Sequence, residues 1–222
     1  MFRKRYFKRR GKRGGSIGIY TMVKKISAVG NITYAPPTEL DVARAWIFRA
    51  SDDADAANQM GFWELFRIRK VYFEIEPIMP VPVAEIAEES GNYLTWPKAA
   101  IVFDPDDASV PSISLRPEYY KQLIKRRYYS LADFRTGKKA KLTFVPRVAS
   151  SVYNSVSSTA YTPIKSPWLN TNTPDTPHYS VKLGMETWGA STLFWGTRTM
   201  HYRVSYTMWI DFKRPKALSD NT

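Results

Sequence analysis

The stretch RTMHYRVSYTMWIDFK, residues 198–213, decides the fold class. Met200, Tyr202, Val204, Tyr206, Met208, Ile210 and Phe212 fall on one side of a period of two. Thr199, His201, Arg203, Ser205, Thr207 and Asp211 fall on the other. Successive side chains of an extended chain point to opposite faces, so this is a strand with one apolar and one polar face. At ~3.3 Å per residue the fourteen alternating residues, 199–212, span roughly 45 Å. Trp209 is the one large apolar residue on the polar face, which predicts that this face is partly covered.

The same alternation recurs elsewhere. Lys139–Arg147 sets Ala140, Leu142, Phe144 and Pro146 against Lys139, Lys141, Thr143 and Arg147. Tyr179–Glu186 sets Tyr179, Val181, Leu183 and Met185 against Ser180, Lys182, Gly184 and Glu186. In Phe66–Glu76 the phase breaks: Phe66 and Ile68 point one way, and Val71, Phe73 and Ile75 the other. One extra residue near Arg69-Lys70, a β-bulge, returns all five to a common core. Ala99–Phe103 is a short apolar run, and Val42–Arg49 a strand of mixed phase. One helix is expected after Pro117, where Tyr120, Leu123, Ile124 and Arg127 follow at helical spacing. Residues 77–97 and 150–178 read as long loops, punctuated by Pro, Ser, Thr and Asn. About eight strands, one short helix and no βαβ alternation imply an all-β fold. For 222 residues the best match is a single eight-stranded antiparallel jelly-roll sandwich with long loops.

Charge is distributed unevenly. The net charge is +13, yet residues 1–25 hold ten cations and no acid: Arg3, Lys4, Arg5, Lys8, Arg9, Arg10, Lys12, Arg13, Lys24 and Lys25. The remaining chain has 23 basic and 20 acidic residues, an ordinary near-neutral body. This divides the chain into a basic arm, 1–25, and a jelly-roll domain, 26–222. In residues 1–16, low apolar content and self-repulsion should leave the arm unfolded until a polyanion neutralises it. Its ten cations are the expected nucleic-acid-binding residues, with Tyr6 and Phe7 able to stack on bases. No zinc-finger, RNP or groove-reading pattern is present, so binding should be non-specific and salt-sensitive. The same residues suit a nuclear-import signal. A second basic stretch, 121–141, contains Lys125, Arg126, Arg127, Arg135, Lys138 and Lys139. It fits equally a second nucleic-acid surface and a solvated helix end with a turn at Thr136-Gly137.

Other chemistries find little support. There is no cysteine, hence no disulfide, thiolate metal site or cysteine nucleophile. No apolar run approaches the ~20 residues of a membrane span, so no membrane insertion is expected. The two histidines, His178 and His201, occur in no metalloprotease or nucleophile motif and read as structural. The acid clusters Asp52-Asp53-Asp55 and Asp104-Asp106-Asp107 lack the Gly and Glu of a calcium loop. No catalytic residue, metal or cofactor is expected. A cellular ribosomal-type nucleic-acid-binding protein is the rival reading; it has no need of the long body loops.

Several segments, in order, resemble a known family. FRIRKVYFEIEP (Phe66–Pro77) is similar to the second long strand of circovirus-type capsid proteins, the coats of circular single-stranded DNA viruses. AAIVFD (Ala99–Asp104), LTFVPRV (Leu142–Val148), HYSVKLGMET and MHYRVSYTMWIDFK follow in family order behind the basic N-terminus. The resemblance implies a capsid protein with a jelly roll that self-assembles as sixty copies into an icosahedral shell. Its arms would point inward onto a single-stranded DNA genome, or onto RNA. It further implies nuclear import by host machinery, a location in the virion and, during assembly, the nucleus, and contact with a host receptor that the residues do not identify. The arm is shorter and more lysine-mixed than typical circovirus arms, as in a divergent, cyclovirus-like relative.

Overall fold

In the computed structural model the described residues are 18–34, 43–78, 98–105, 109–110, 116–134, 136–155, 158–185 and 198–216. Eleven strands and two α-helices lie among them. In chain order the strands are β1 (Tyr20–Tyr34), β2 (Ala43–Phe48), β3 (Trp63–Ile78), β4 (Lys98–Phe103), β5 (Tyr129–Asp133) and β6 (Ala140–Phe144). They continue with β7 (Arg147–Ser155), β8 (Ser158–Lys165), β9 (Leu169–Asn170), β10 (His178–Met185) and β11 (Arg198–Pro215). Helix α1 (Ala54–Gln59) follows β2, and α2 (Arg116–Leu123) follows β4.

All pairings are antiparallel. One sheet runs β1-β11-β3-β6, and the other contains β2-β10-β4-β5. Among these eight strands the first pairs with the last, the second with the seventh, the third with the sixth, and the fourth with the fifth. That is one long hairpin of strand pairs rolled into two facing sheets, the connectivity of a jelly roll. The expected all-β class therefore holds, and the strand count differs: eight strands form the roll, and β7, β8 and β9 are additions to it.

Between the sheets lies the core, built from the alternation read in the sequence. Tyr202, Val204, Met208, Ile210 and Phe212 of β11 are buried and Tyr206 is half-buried against them. The bulge in β3 is present: Trp209 pairs with Lys70 and Ile210 with Ile68, so Arg69 is the extra residue. Phe66, Ile68, Val71, Phe73 and Ile75 are all fully buried as a result. Phe48 of β2 crosses the sandwich, with its ring 4.9 Å from Tyr206, 5.8 Å from Phe144 and 6.1 Å from Phe73. Removing a ring so placed typically costs about 3–5 kcal/mol.

Several expectations need correction. Residues 150–178, expected as one loop, carry the rest of the β7–β8 hairpin and β9. Its Ser/Thr-rich strands have no apolar alternation to read, and Pro163 sits on the outer strand β8, where a missing N–H is tolerated. A second helix, α1, accompanies the expected one. Asp53 caps it by accepting from the Ala56 N–H at 2.9 Å. Residues 20–25, counted with the arm on charge, are the first six residues of β1. His178, read as a loop residue, begins β10 opposite Phe48 and is fully buried. The expected loop at 77–97 lies outside the described residues from 79 onward.

Candidate nucleic-acid interface

Each sheet has one face in the core and one facing outward, and the two outward faces differ in kind. On the β2-β10-β4-β5 sheet, Ala100 and Val102 pack under Tyr120 and Leu123 of α2. The helix approaches so closely that a Cβ on Gly184 would lie 3.1 Å from the Tyr120 backbone. Beside the helix Lys182 is buried and paired with Asp104 at 3.2 Å, with Arg126 reaching the same carboxylate at 3.9 Å.

On the β1-β11-β3-β6 sheet the outward face is charged. The expected binding residues Arg3, Lys4, Arg5, Lys8, Arg9, Arg10, Lys12 and Arg13 lie outside the described residues. Lys24 and Lys25 are described, and β1 separates them. Lys24 aligns with the core-facing Met208 and is paired with Asp53 (3.7 Å) and Asp55 beside α1. The Asp55 contact holds the Lys24 ammonium above its ordinary range. Lys25 aligns with Thr207 on the outward face. The charge of Lys24 is therefore met within the body, whereas Lys25 joins the open face.

Around Lys25 the outward positions continue the pattern. Asp211 is almost fully buried although it belongs to this polar side. It accepts from Arg67 Nη2 at 2.9 Å and Nε at 3.1 Å, and from Thr21 Oγ1 at 2.8 Å; Arg69 approaches to 3.6 Å. Lys70 lies over the Trp209 ring at 4.5 Å, and the Arg67 and Lys213 side chains lie 4.5 and 5.4 Å from the Trp168 ring centroid. This is the partial cover that Trp209 implied. Such cation–π contacts hold the cations over the rings while leaving their charge unneutralised.

Toward the other end of the face the cations are paired with carboxylates. Lys139 contacts Glu76 at 2.8 Å and Glu74 at 3.4 Å, Lys141 lies 3.9 Å from Glu74, and Arg203 lies 3.3 Å from Glu76. Burial alone would raise the Glu74 carboxyl, but the Tyr72 hydroxyl (2.7 Å), Lys139 and Lys141 outweigh it and hold it below its usual range. Glu76 is lowered chiefly by its hydrogen bond to Lys139. Tyr72 is pushed up to about 12, first by burial and then by Glu74. The basic stretch 121–141 is thus divided: Lys139 and Lys141 lie on this face, and Lys121, Lys125 and Arg126 belong to the α2 side of the sandwich.

The residues that sequence reasoning left out of the interface are Arg67, Arg69, Lys70, Lys213, Trp168 and Trp209. Their signal was in plain view, since Arg67, Lys70, Trp209 and Lys213 hold outward positions of β3 and β11 at one end, interrupted there by Leu65 and Asp211. Long-range pairing is what brings β3, β11 and Trp168 together. The acid cluster 52–55 serves as helix caps and as partners of Lys24. No group of His, Asp and Glu suited to a metal occurs among the described residues.

Against known proteins, the model of the family described as circovirus capsid protein matches residues 1–216. A crystal structure of the 60-mer BFDV capsid protein superposes with a TM-score of 0.64 at 12% identity, covering 94% of this chain and 100% of that one. A decameric BFDV capsid structure gives 0.48 at 16% identity, covering 89% and 100%. A virus-like particle of the Macrobrachium rosenbergii nodavirus gives 0.47 at 12%, covering 91% and 98%. No curated protein sequence matches the chain. The rolled two-sheet topology, the ordered strand motifs and a family match over nearly the whole length lead to one conclusion: the chain belongs to the circovirus capsid protein family.

Proposed function

We propose that this capsid protein closes into an icosahedral shell of sixty copies and packages single-stranded DNA, without sequence preference, through its basic N-terminal arm. The carrying observation is the charge partition: ten cations and no acid in residues 1–25, against a near-neutral remainder. The BFDV relative of the same fold, itself a 60-mer, supports the copy number. As a capsid protein the chain has a structural rather than a catalytic role and resides in the virion.

The mechanism is electrostatic. Eight cations precede β1 in each arm, so sixty arms neutralise about 480 phosphates, and counterions and the open sheet face take up part of the remainder. Unfilled arms repel one another and oppose closure of an empty shell. The same cluster serves as a nuclear-import signal, bringing the protein to the nucleus for assembly. The experiment is to delete residues 1–16, which leaves every residue of β1 in place. Particles of the shortened chain are expected to lose most of their nucleic acid, read as the ratio of absorbance at 260 and 280 nm. Equal nucleic-acid content with and without the arm overturns the proposal.

A further inference from the structure

We infer that the body itself carries a second, fixed site for single-stranded nucleic acid: the basic and tryptophan-bearing end of the outward face of the β1-β11-β3-β6 sheet. Its residues are Arg67, Arg69, Lys70, Lys213, Trp168 and Trp209. The inference rests on the packaging proposal for its ligand, but not on the arm for its chemistry.

Three features of the face carry it. First, cations are in excess among the described residues: Arg67 and Arg69 approach one carboxylate, Asp211, and Lys70 and Lys213 lie over tryptophan rings rather than carboxylates. Asp211 holds Arg67 and draws Arg69 toward it, offsetting one of the four charges. Second, the cations are interleaved with rings. Lys70 is 4.5 Å from the Trp209 ring centroid and Arg67 is 4.5 Å from that of Trp168, the phosphate-and-base alternation that a single strand presents. Neither tryptophan is fully buried. Third, the chain coming from the arm enters the sheet at this end. Tyr20 stacks on Trp63 at 5.9 Å, and the next residue, Thr21, donates to Asp211. A strand neutralised by residues 1–13 is thereby delivered at high local concentration to the face beside the arm's root. The other end of the face, where Lys139, Lys141 and Arg203 are all paired with Glu74 and Glu76, offers a smaller excess.

The test uses the full-length chain below its assembly concentration, titrated with an oligodeoxythymidylate at several salt concentrations, with tryptophan fluorescence as a second readout. The Lys70→Gln/Lys213→Gln variant is expected to lower the slope of log affinity against log salt by about 1.4, at ~0.7 per single-strand phosphate contact. Trp209→Leu is expected to weaken binding about tenfold and to remove part of the fluorescence quenching, and Trp209→Phe to retain the affinity. Unchanged melting temperatures establish that the lysine variants fold. A parallel variant with Arg3, Lys4, Arg5, Lys8, Arg9, Arg10, Lys12 and Arg13 all changed to Gln tests the arm alone. If that variant binds weakly while the Lys70/Lys213 pair keeps the wild-type slope and quenching, the body site is refuted and the arm stands. If the arm variant binds like wild type, it is the packaging proposal that fails. Polyglutamate competing as well as the oligonucleotide at equal charge would also refute the site, by showing a docking patch for acidic protein.

Discussion

The two outward faces of this sandwich are built from the same kind of strand and are kept in opposite ways. The β2-β10-β4-β5 face is closed by packing: α2 lies on Ala100 and Val102, and Gly184 leaves room for the Tyr120 backbone. The β1-β11-β3-β6 face is left open and held by ions, with Asp211 gathering Arg67 and Arg69, and Lys139 joining Glu74 and Glu76. The difference teaches where each will be vulnerable. Added volume should damage the closed side and spare the open one, and changed charge should do the reverse.

The largest effect is expected from Gly184→Leu. A side chain in the 3.1 Å gap must push α2 away, at a cost of about 3 kcal/mol measured by denaturant unfolding. The matching insertion on the open face, Thr207→Leu, should stay within about 0.5 kcal/mol. Equal losses at the two positions would erase the distinction.

Next comes the pH response of the closed side's sheet. His178 is fully buried with Nδ1 at 2.9 Å from the Thr176 carbonyl, and burial pushes it down to about 4. The folded ring stays neutral where the unfolded one, near its ordinary 6.5, takes a proton. Stability is therefore complete above pH 6.5 and lost as pH falls toward 4, by about 3 kcal/mol in all. His178→Asn should flatten unfolding free energy across that window, and an unchanged slope would assign the pH dependence elsewhere.

A smaller effect, with two readouts of opposite sign, is expected from Asp211→Ala. Losing the carboxylate leaves Arg67 and Arg69 without their anchor. Both retain solvent access, so the loss should be about 2 kcal/mol, less than for a fully buried pair. The same change removes the one acid found among the described residues of the basic end, so oligonucleotide affinity should rise as stability falls. Both quantities falling together would mean that Asp211 organises the site more than it opposes it.

Much of this could be read in the residues. The β11 alternation gave the sandwich, and the phase break at Arg69-Lys70 gave the bulge that keeps five β3 residues in the core. The misses share a physical cause. β1 went unread because Lys24, on its core-facing side, interrupts the apolar positions Met22, Ile26 and Ala28, and because its two lysines looked like arm. Gly30, also on that side, is where the Tyr202 ring lies, filling the space of a side chain β1 does not supply. α1 has a single buried residue, Ala56, and hence no apolar stripe to detect. The β7–β8 hairpin is polar and sits outside the roll. The basic patch depends on pairing between β3 and β11, more than 120 positions apart, which no local pattern encodes.

The most direct test of the central claim, that this jelly roll is a shell protomer, is the particle mass of the purified full-length chain by sedimentation or mass photometry. Sixty chains of 25.5 kDa give about 1.5 MDa, and a peak there containing nucleic acid is the expected result. A chain that stays a 25.5 kDa monomer at every concentration and salt, with DNA present, would contradict it.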